Sequence, residues 1–124
     1  MTKSLLLVED NKLTRQRLRG FLEGLGLEIL EAASGQEALD LARARHPSII
    51  VTDIMLPGLS GLDLARALKA DPATRAIPIV AVTTLAIAAD IDAIKAAGCD
   101  ALVAKPILQE ALVNTVKGML SAAA

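Results

Sequence analysis

The 124-residue chain is long enough for one domain with its own hydrophobic core, and its 53% hydrophobic and 22% charged residues exclude a disordered protein. A net charge of −1 without a basic run, with Phe21 as the only aromatic residue, argues against nucleic acid and anionic membrane as partners. The single cysteine, Cys99, excludes an internal disulfide. The apolar run Leu5–Val8 is too short for a signal peptide or a membrane span, so we expect a cytoplasmic protein.

Short apolar runs, which are typical of strands, alternate along the chain with segments of helical periodicity. The first predicted elements are a strand at Leu5–Val8, a helix at about residues 12–23, a strand at Leu27–Leu30, a helix from Ser34 to His46 and a strand at Ile49–Val51. They are followed by a helix at Gly61–Ala70, a strand at Ile79–Val82, a helix at about residues 86–97, a strand at Ala101–Ala104, and a helix with Leu108, Leu112, Val116 and Met119 or Leu120 on one face.

Most of the apolar runs are continuous rather than alternating, as is typical of strands that are covered on both faces. Ser34 with Glu37 has capping-box spacing, and the residue pairs His46-Pro47 and Asp71-Pro72 mark helix ends. The alternating order predicts an α/β fold in which a doubly wound, five-stranded parallel sheet is flanked by five helices, within one domain spanning residues 1–124.

Charged and polar side chains follow four of the predicted strands. Glu9 and Asp10 follow the first strand, Asp53 the third, Thr83 the fourth and Lys105 the fifth. Because ligands of open parallel sheets bind beyond the carboxyl ends of the strands, we expect these side chains to meet at one edge of the sheet.

Each of these residue types has a use in phosphoryl transfer. Carboxylates that lie close together repel one another unless a cation holds them ionised, and Mg²⁺ commonly binds between carboxylates and a phosphate. A carboxylate can also attack phosphorus to form an aspartyl phosphate. The ammonium of Lys105 and the hydroxyl of Thr83 suit phosphate oxygens. The set therefore predicts a phosphoryl-acceptor site that uses Mg²⁺.

Four motifs carry a resemblance to a known family: VEDN at Val8–Asn11, DIMLPGLSG at Asp53–Gly61, AVTT at Ala81–Thr84 and KP at Lys105–Pro106. In this order and spacing, the chain resembles the receiver domain of two-component response regulators, which implies a flavodoxin-like (CheY-like) fold. Residues 68–82, LKADPATRAIPIVAV, are especially similar to stand-alone receivers of the DivK type.

The resemblance implies a role for each site residue. Asp53 would be the phosphoacceptor, and Lys105 would contact the phosphoryl group. Asp10 and Asp53 would bind Mg²⁺ directly, Glu9 would help through a water molecule, and the main-chain carbonyl of Met55 would be a further ligand. The chain would not be an enzyme in the ordinary sense, since it would assist only its own phosphorylation and dephosphorylation.

The resemblance also implies an output mechanism, from which this chain departs at one position. Thr83 would be the switch hydroxyl that moves toward the phosphate, and a cis peptide is expected before Pro106. Receivers often carry Tyr or Phe three residues before the lysine, where this chain has Leu102, so aromatic gating is not available. The apolar segment that opens the fourth helix suggests an exposed partner site at Leu85 and Ile87, which with Leu102 would form an output surface.

A histidine kinase or histidine phosphotransfer protein would be the phosphoryl donor, and a downstream protein would bind the face formed by the fourth helix, fifth strand and fifth helix. Three alternatives stay open at this point: a receiver taken from a larger hybrid kinase or regulator, a receiver-like scaffold without phosphorylation, and a flavin- or small-molecule-binding domain on the same fold. The acidic loop at Glu9 and Asp10 counts against a phosphate-bearing ligand bound without a metal.

Overall fold

Five parallel strands form one sheet, with helices covering both of its faces. The computed structural model describes residues 3–83 and 88–123, apart from the side chains of residues 88–90 and 122–123. The strands are β1 Ser4–Val8, β2 Glu28–Ala32, β3 Ile49–Asp53, β4 Ile79–Thr83 and β5 Ala101–Ala104. The helices are α1 Lys12–Leu22, α2 Gly35–Arg45, α3 Gly61–Ala70, α4 Ala88–Ala96 and α5 Gln109–Ala123, and a short 3₁₀ turn, Glu23–Leu25, follows α1.

The strands lie in the order β2-β1-β3-β4-β5, and every neighbouring pair is parallel. The order changes direction between β1 and β3, so the helices that follow these two strands leave toward opposite faces and a crevice opens at their carboxyl ends. The predicted doubly wound sheet is confirmed.

Successive residues of the central strands alternate between two hydrophobic clusters, one on each face. In β1, Leu6 and Val8 pack in the cluster that contains residues of α2, α3 and α4, whereas Leu5 and Leu7 pack in the cluster that contains residues of α1 and α5. All of β1 is buried, as are β3 and β4. Burial on both faces explains why these strands read as continuous apolar runs.

Local side-chain signals fix the starts of the first three helices at the carboxyl edge of the sheet. The side-chain oxygen of Asn11 accepts a hydrogen bond from the Thr14 amide at 2.9 Å, and Ser34 Oγ accepts one from the Glu37 amide at 3.2 Å. Ser60 Oγ caps α3 in the same way. Each cap satisfies a backbone donor that the helix leaves unpaired.

Most predicted boundaries agree with the structure to within two residues, but Leu108 does not belong to the buried face of α5. Its carbonyl accepts the Leu112 amide at 3.1 Å, so Leu108 occupies the cap position before the helix, and its side chain is 68% exposed. Leu112 and Val116 are buried as predicted.

Cys99 is also buried in the core, and the peptide between Lys105 and Pro106 is cis, as expected. Among the described residues, no helix combines the length and apolar character needed to cross a membrane.

Gly61 allows the start of α3 to lie directly against the end of β3. A Cβ atom on this residue would collide with the main-chain carbonyl oxygen of Asp53 and would lie 2.7 Å from the Cα atom of Ile54. The Gly61 amide donates to the Ile54 carbonyl at 2.9 Å, which fixes the close approach. Because the opposing atoms are backbone, they cannot rotate away as a flexible side chain would.

We expect Gly61→Ala to lower the free energy of unfolding by about 1–3 kcal/mol through this overpacking. A Cβ atom on Gly20, in the interior of α1, would meet no atom within 4 Å apart from its chain neighbours and the backbone of its own helix, so Gly20→Ala is the matched control. It should be neutral or raise stability by up to about 1 kcal/mol, because alanine has the higher helix propensity. Urea unfolding followed by circular dichroism measures both variants, and a Gly61→Ala protein as stable as wild type would contradict the packing argument.

Candidate functional site

The hydrogen bonds of the sheet continue beyond the carboxyl ends of its strands and position the candidate residues. The Glu9 amide donates to the Ala32 carbonyl at 3.0 Å, and the Lys105 amide donates to the Thr83 carbonyl at 2.8 Å. Asp53 and Thr83 are themselves the last residues of β3 and β4. The sheet therefore brings together the backbone of the residues that the sequence predicted to meet at this edge.

Asp53 lies at the centre of the site and is only 5% exposed. Its Oδ2 atom accepts a hydrogen bond from Lys105 Nζ at 2.9 Å, and its Oδ1 atom accepts one from the Met55 amide at 3.1 Å. Thr83 is buried at the end of the neighbouring strand. The carboxylate is thus oriented by one charged donor and one backbone donor.

Glu9, Asp10 and Asp53 form a carboxylate cluster, in which one oxygen from each residue lies within 4.8 Å of the others. Glu9 is 3% exposed, Asp10 is exposed, and Asp53 is buried. Glu9 Oε1 accepts the Asn11 amide at 3.3 Å, but buried Glu9 Oε2 has no hydrogen-bond partner among the described residues. An acceptor left without a donor in a crowded acidic cluster fits a site for a cation.

The environment displaces the pKa values of the two buried acids in opposite directions. Burial raises the pKa of Glu9 to about 7, and the neighbouring carboxylate of Asp53 adds to this effect. Burial also acts to raise the pKa of Asp53, but the neighbouring Glu9 side chain and the hydrogen bonds from Lys105 and the Met55 amide outweigh it and hold that pKa below its usual value. Without a metal, the site therefore favours an ionised Asp53 beside a Glu9 that takes up a proton near neutral pH.

The raised pKa of Glu9 makes the stability of the metal-free protein depend on pH. Folded Glu9 binds its proton more tightly than unfolded Glu9, whose pKa is near 4.5, so its contribution to stability is complete below that pH and is lost as the pH rises through about 7. In EDTA, we expect the urea concentration at the midpoint of unfolding to decrease as the pH is raised from about 5 to about 8. Glu9→Gln should make this decrease smaller. Substitution of exposed Glu110 by Gln is the control, and equal slopes for wild type and Glu9→Gln would contradict the assignment.

The donor set of the cluster fits Mg²⁺ by its chemistry. Three carboxylates supply hard oxygen ligands, of which the ion needs only one or two together with water and phosphate oxygens. Met55 follows Asp53 by two residues, and its side chain is 69% exposed. The role of its main-chain carbonyl as a further ligand stays a prediction. A divalent cation would also offset the negative charge of Asp53, which adds to the effect of burial on the pKa of Glu9.

The predicted output residues are described only in part. Leu85 and Ile87 lie outside the described residues, so their exposure is untested. Leu102 is half-buried, packs against the core, and lines a cavity of about 30 Å³ together with Ile91 and Ile94 of α4. The position at which receivers often have an aromatic ring is therefore filled by a smaller side chain beside a small void.

Comparison with known proteins decides the family. The sequence profile of the response regulator receiver domain matches residues 5–117. This chain belongs to that family. It is 44% identical over 120 residues to the polar-differentiation response regulator DivK of Brucella ovis, a match that covers 97% of this chain and 98% of the relative.

Solved receiver structures have the same fold. The chemotaxis response regulator CheY4 of Vibrio cholerae matches with a TM-score of 0.89 at 27% identity, covering 96% of this chain and 99% of that one. The receiver domain of a sensor histidine kinase from Pseudomonas aeruginosa PAO1, which has a magnesium ion coordinated in its active-site cleft, matches with a TM-score of 0.89 at 28% identity over 98% and 99% of the two chains. The chain is therefore a receiver domain of two-component signalling, as its motifs predicted, and it resembles DivK over nearly its full length.

Proposed function

We propose that Asp53 is the phosphoacceptor of this receiver domain. The observation that carries the proposal is the pairing of Asp53 with Lys105 at 2.9 Å inside a cluster of acidic residues that fits Mg²⁺. Asp53 meets the requirements for a nucleophile, since it is ionised, oriented by two donors and located at the open edge of the sheet. The same proposal assigns Glu9 and Asp10 to the Mg²⁺ site, and Lys105 and Thr83 to contacts with the phosphoryl group.

In the proposed reaction, a carboxylate oxygen of Asp53 forms a bond to phosphorus while the bond from phosphorus to the donor breaks. With a phosphohistidine donor, the broken bond is P–N, and the imidazole nitrogen keeps the electron pair and is available for protonation by solvent. Lys105 then places its ammonium against a phosphoryl oxygen, and Thr83 donates its hydroxyl to another. Charge neutralisation and positioning are the main requirements of phosphoryl transfer.

Glu9, Asp10 and Asp53 would hold Mg²⁺ in this proposal, with the Met55 carbonyl as an additional ligand. The ion supplies positive charge that offsets the carboxylates and the phosphoryl oxygens. Support comes from the three carboxylate oxygens within 4.8 Å of one another and from the buried Glu9 Oε2 atom that lacks a donor.

We propose that a histidine kinase or histidine phosphotransfer protein docks at the same edge of the sheet. Three large apolar side chains are exposed in segments that follow the carboxyl ends of β1, β3 and β5: Leu13 at 77%, Met55 at 69% and Leu108 at 68%. A groove of about 180 Å³ lies between α1 and the segment that follows β5, and it is lined by Thr14, Arg17, Leu18, Phe21, Lys105, Pro106 and Ile107. An apolar surface around a buried nucleophile suits a protein donor that excludes water during transfer.

The output is proposed to pass through contacts of a downstream protein with the face formed by α4, β5 and α5. With Leu102 in place of an aromatic residue, the switch would act through a shift of α4 or through direct recognition of the phosphorylated loops. The domain would not be an enzyme with a separate substrate. We also propose that it acts in the cytoplasm.

The test is the intact mass of the purified protein after incubation with acetyl phosphate. With Mg²⁺ present, the proposal predicts a gain of one phosphoryl group, because the small donor replaces the protein donor. With EDTA in place of Mg²⁺, the gain should fall at least about tenfold, since the site would then lack the charge that offsets its carboxylates. Equal gains with and without the metal would contradict the metal assignment, and no gain in either would contradict the function.

A further inference from the structure

Arg15 lies in α1, five residues after Asp10, and its guanidinium joins three segments of the chain. Its Nη1 atom donates to the main-chain carbonyl of Glu9 at 2.8 Å, and its Nε atom donates to Glu31 Oε1 of β2 at 3.1 Å. The side chain is only 18% exposed. A planar guanidinium can make both bonds at once, because its donors are held in a fixed geometry.

Glu31 fixes the guanidinium from the side of the sheet. Its second carboxylate oxygen accepts from Arg19 Nη1 at 2.6 Å, so one carboxylate bridges two arginines of α1. Glu31 pairs in the sheet with Leu7 of β1, and Leu7 precedes Glu9 by two residues. Hydrogen bonds between ionised groups are shorter and stronger than neutral ones, so this arrangement restricts where Arg15 can place its Nη1 atom.

The Glu9 backbone is consequently held at both of its polar atoms. Its amide donates to Ala32 of β2, and its carbonyl accepts from Arg15. The carbonyl belongs to the peptide that joins Glu9 to Asp10, so Arg15 sets the orientation of the peptide between the two acids. Asp10 is exposed, and its carboxylate is therefore positioned by its backbone rather than by packing.

We propose that Arg15 is a positioning residue of the Mg²⁺ site, which acts by holding the Glu9–Asp10 peptide and which is itself anchored by Glu31. The inference rests on the proposed function, because it concerns the affinity of the same site for Mg²⁺. Groups that orient metal ligands without touching the metal typically change its affinity by about 10–100-fold when they are removed.

The test is calorimetric titration of Mg²⁺ into wild type, Arg15→Ala and Arg19→Ala. Arg19 is the matched control, since it pairs with the same Glu31 carboxylate but makes no hydrogen bond to Glu9 among the described contacts. We expect Arg15→Ala to raise the Kd for Mg²⁺ by about 10–100-fold and Arg19→Ala to change it by less than about threefold. In EDTA, amide hydrogen exchange at Asp10 should be faster in Arg15→Ala than in Arg19→Ala, which separates positioning of the loop from a general loss of stability.

Arg15→Lys and Glu31→Gln provide a second route if Arg15→Ala does not fold. Lysine presents a single ammonium in place of the fork, and Glu31→Gln removes the charge that anchors Arg15, so we expect both variants to bind Mg²⁺ with a higher Kd than wild type. If wild type binds Mg²⁺ but the folded Arg15 and Glu31 variants bind it equally well, the positioning role is wrong while the metal site stands. If wild type itself fails to bind Mg²⁺, the metal site and this inference are both overturned.

Discussion

Asp53→Asn is expected to reduce phosphorylation by acetyl phosphate to below about 1% of the wild-type rate, because a neutral amide cannot serve as the nucleophile. The substitution conserves shape, and the side-chain carbonyl oxygen of the introduced asparagine can still accept the hydrogen bond that Lys105 donates to Asp53 at 2.9 Å. The fold should therefore persist while the chemistry is lost. Intact mass after a fixed incubation in Mg²⁺ measures the effect directly.

The matched control is Asp40→Asn, which removes an exposed aspartate of α2 that accepts only a surface hydrogen bond from Gln36 among the described contacts. This variant should gain one phosphoryl group as fast as wild type. A phosphorylated Asp53→Asn protein would move the acceptor to another residue and overturn the assignment. Loss of phosphorylation in both variants would point to damage unrelated to Asp53.

Lys105→Met should have the second largest effect, a fall of about 100-fold or more in the rate of phosphorylation, because the phosphoryl oxygens lose their fixed positive charge. The methionine side chain is also unbranched and is only one atom shorter, so it fills most of the same space. Lys105→Arg is a poor substitute, since the planar guanidinium does not present a compact point charge to the site. The rate is measured as the initial slope of phosphoryl incorporation at fixed Mg²⁺.

Lys117→Met, in an exposed position of α5, controls for loss of one positive charge from the domain. Its rate should stay within about twofold of wild type, because charges at the surface are screened by salt. A Lys105→Met rate equally close to wild type would show that Lys105 serves only to neutralise Asp53 in the unphosphorylated state. The ion pair at 2.9 Å would then be structural rather than functional.

Much of the architecture follows from local patterns in the sequence. Continuous apolar runs located the buried strands, and capping residues such as Ser34 located helix starts, because both signals depend on neighbours along the chain. Because the strands are parallel, Glu9, Asp53 and Lys105 could be predicted to lie at one edge of the sheet before their contacts were known. Strand ends were less predictable, since Asp53 and Thr83 pair within the sheet although their side chains are polar.

The contacts that support the site were not predictable, because they join residues distant in sequence. Nothing local distinguishes Arg15 from Arg17 or Arg19, and only the pairing of β2 with β1 brings Glu31 within reach of α1. The close approach of Gly61 to Asp53 likewise depends on how the loop between β3 and α3 returns to the sheet.

At the opposite edge of the sheet, Lys69 provides a further example. It donates to the carbonyls of Arg75 and Ile77 and pairs with Asp100 at 3.1 Å, and Asp100 also accepts the Ile79 amide. In the sequence, Lys69 was only one residue of a segment similar to DivK-type receivers. Such a network becomes visible only when three separate segments of the chain are placed in space.

Direct location of the phosphoryl group tests whether Asp53 is the phosphoacceptor. Protein phosphorylated in Mg²⁺ is reduced with borohydride, which converts an aspartyl phosphate to homoserine, and is then digested and sequenced by mass spectrometry. Phosphorylation of Asp53 predicts homoserine at position 53 and unmodified aspartate at position 10. Homoserine at position 10 or elsewhere, with Asp53 unchanged, would contradict it.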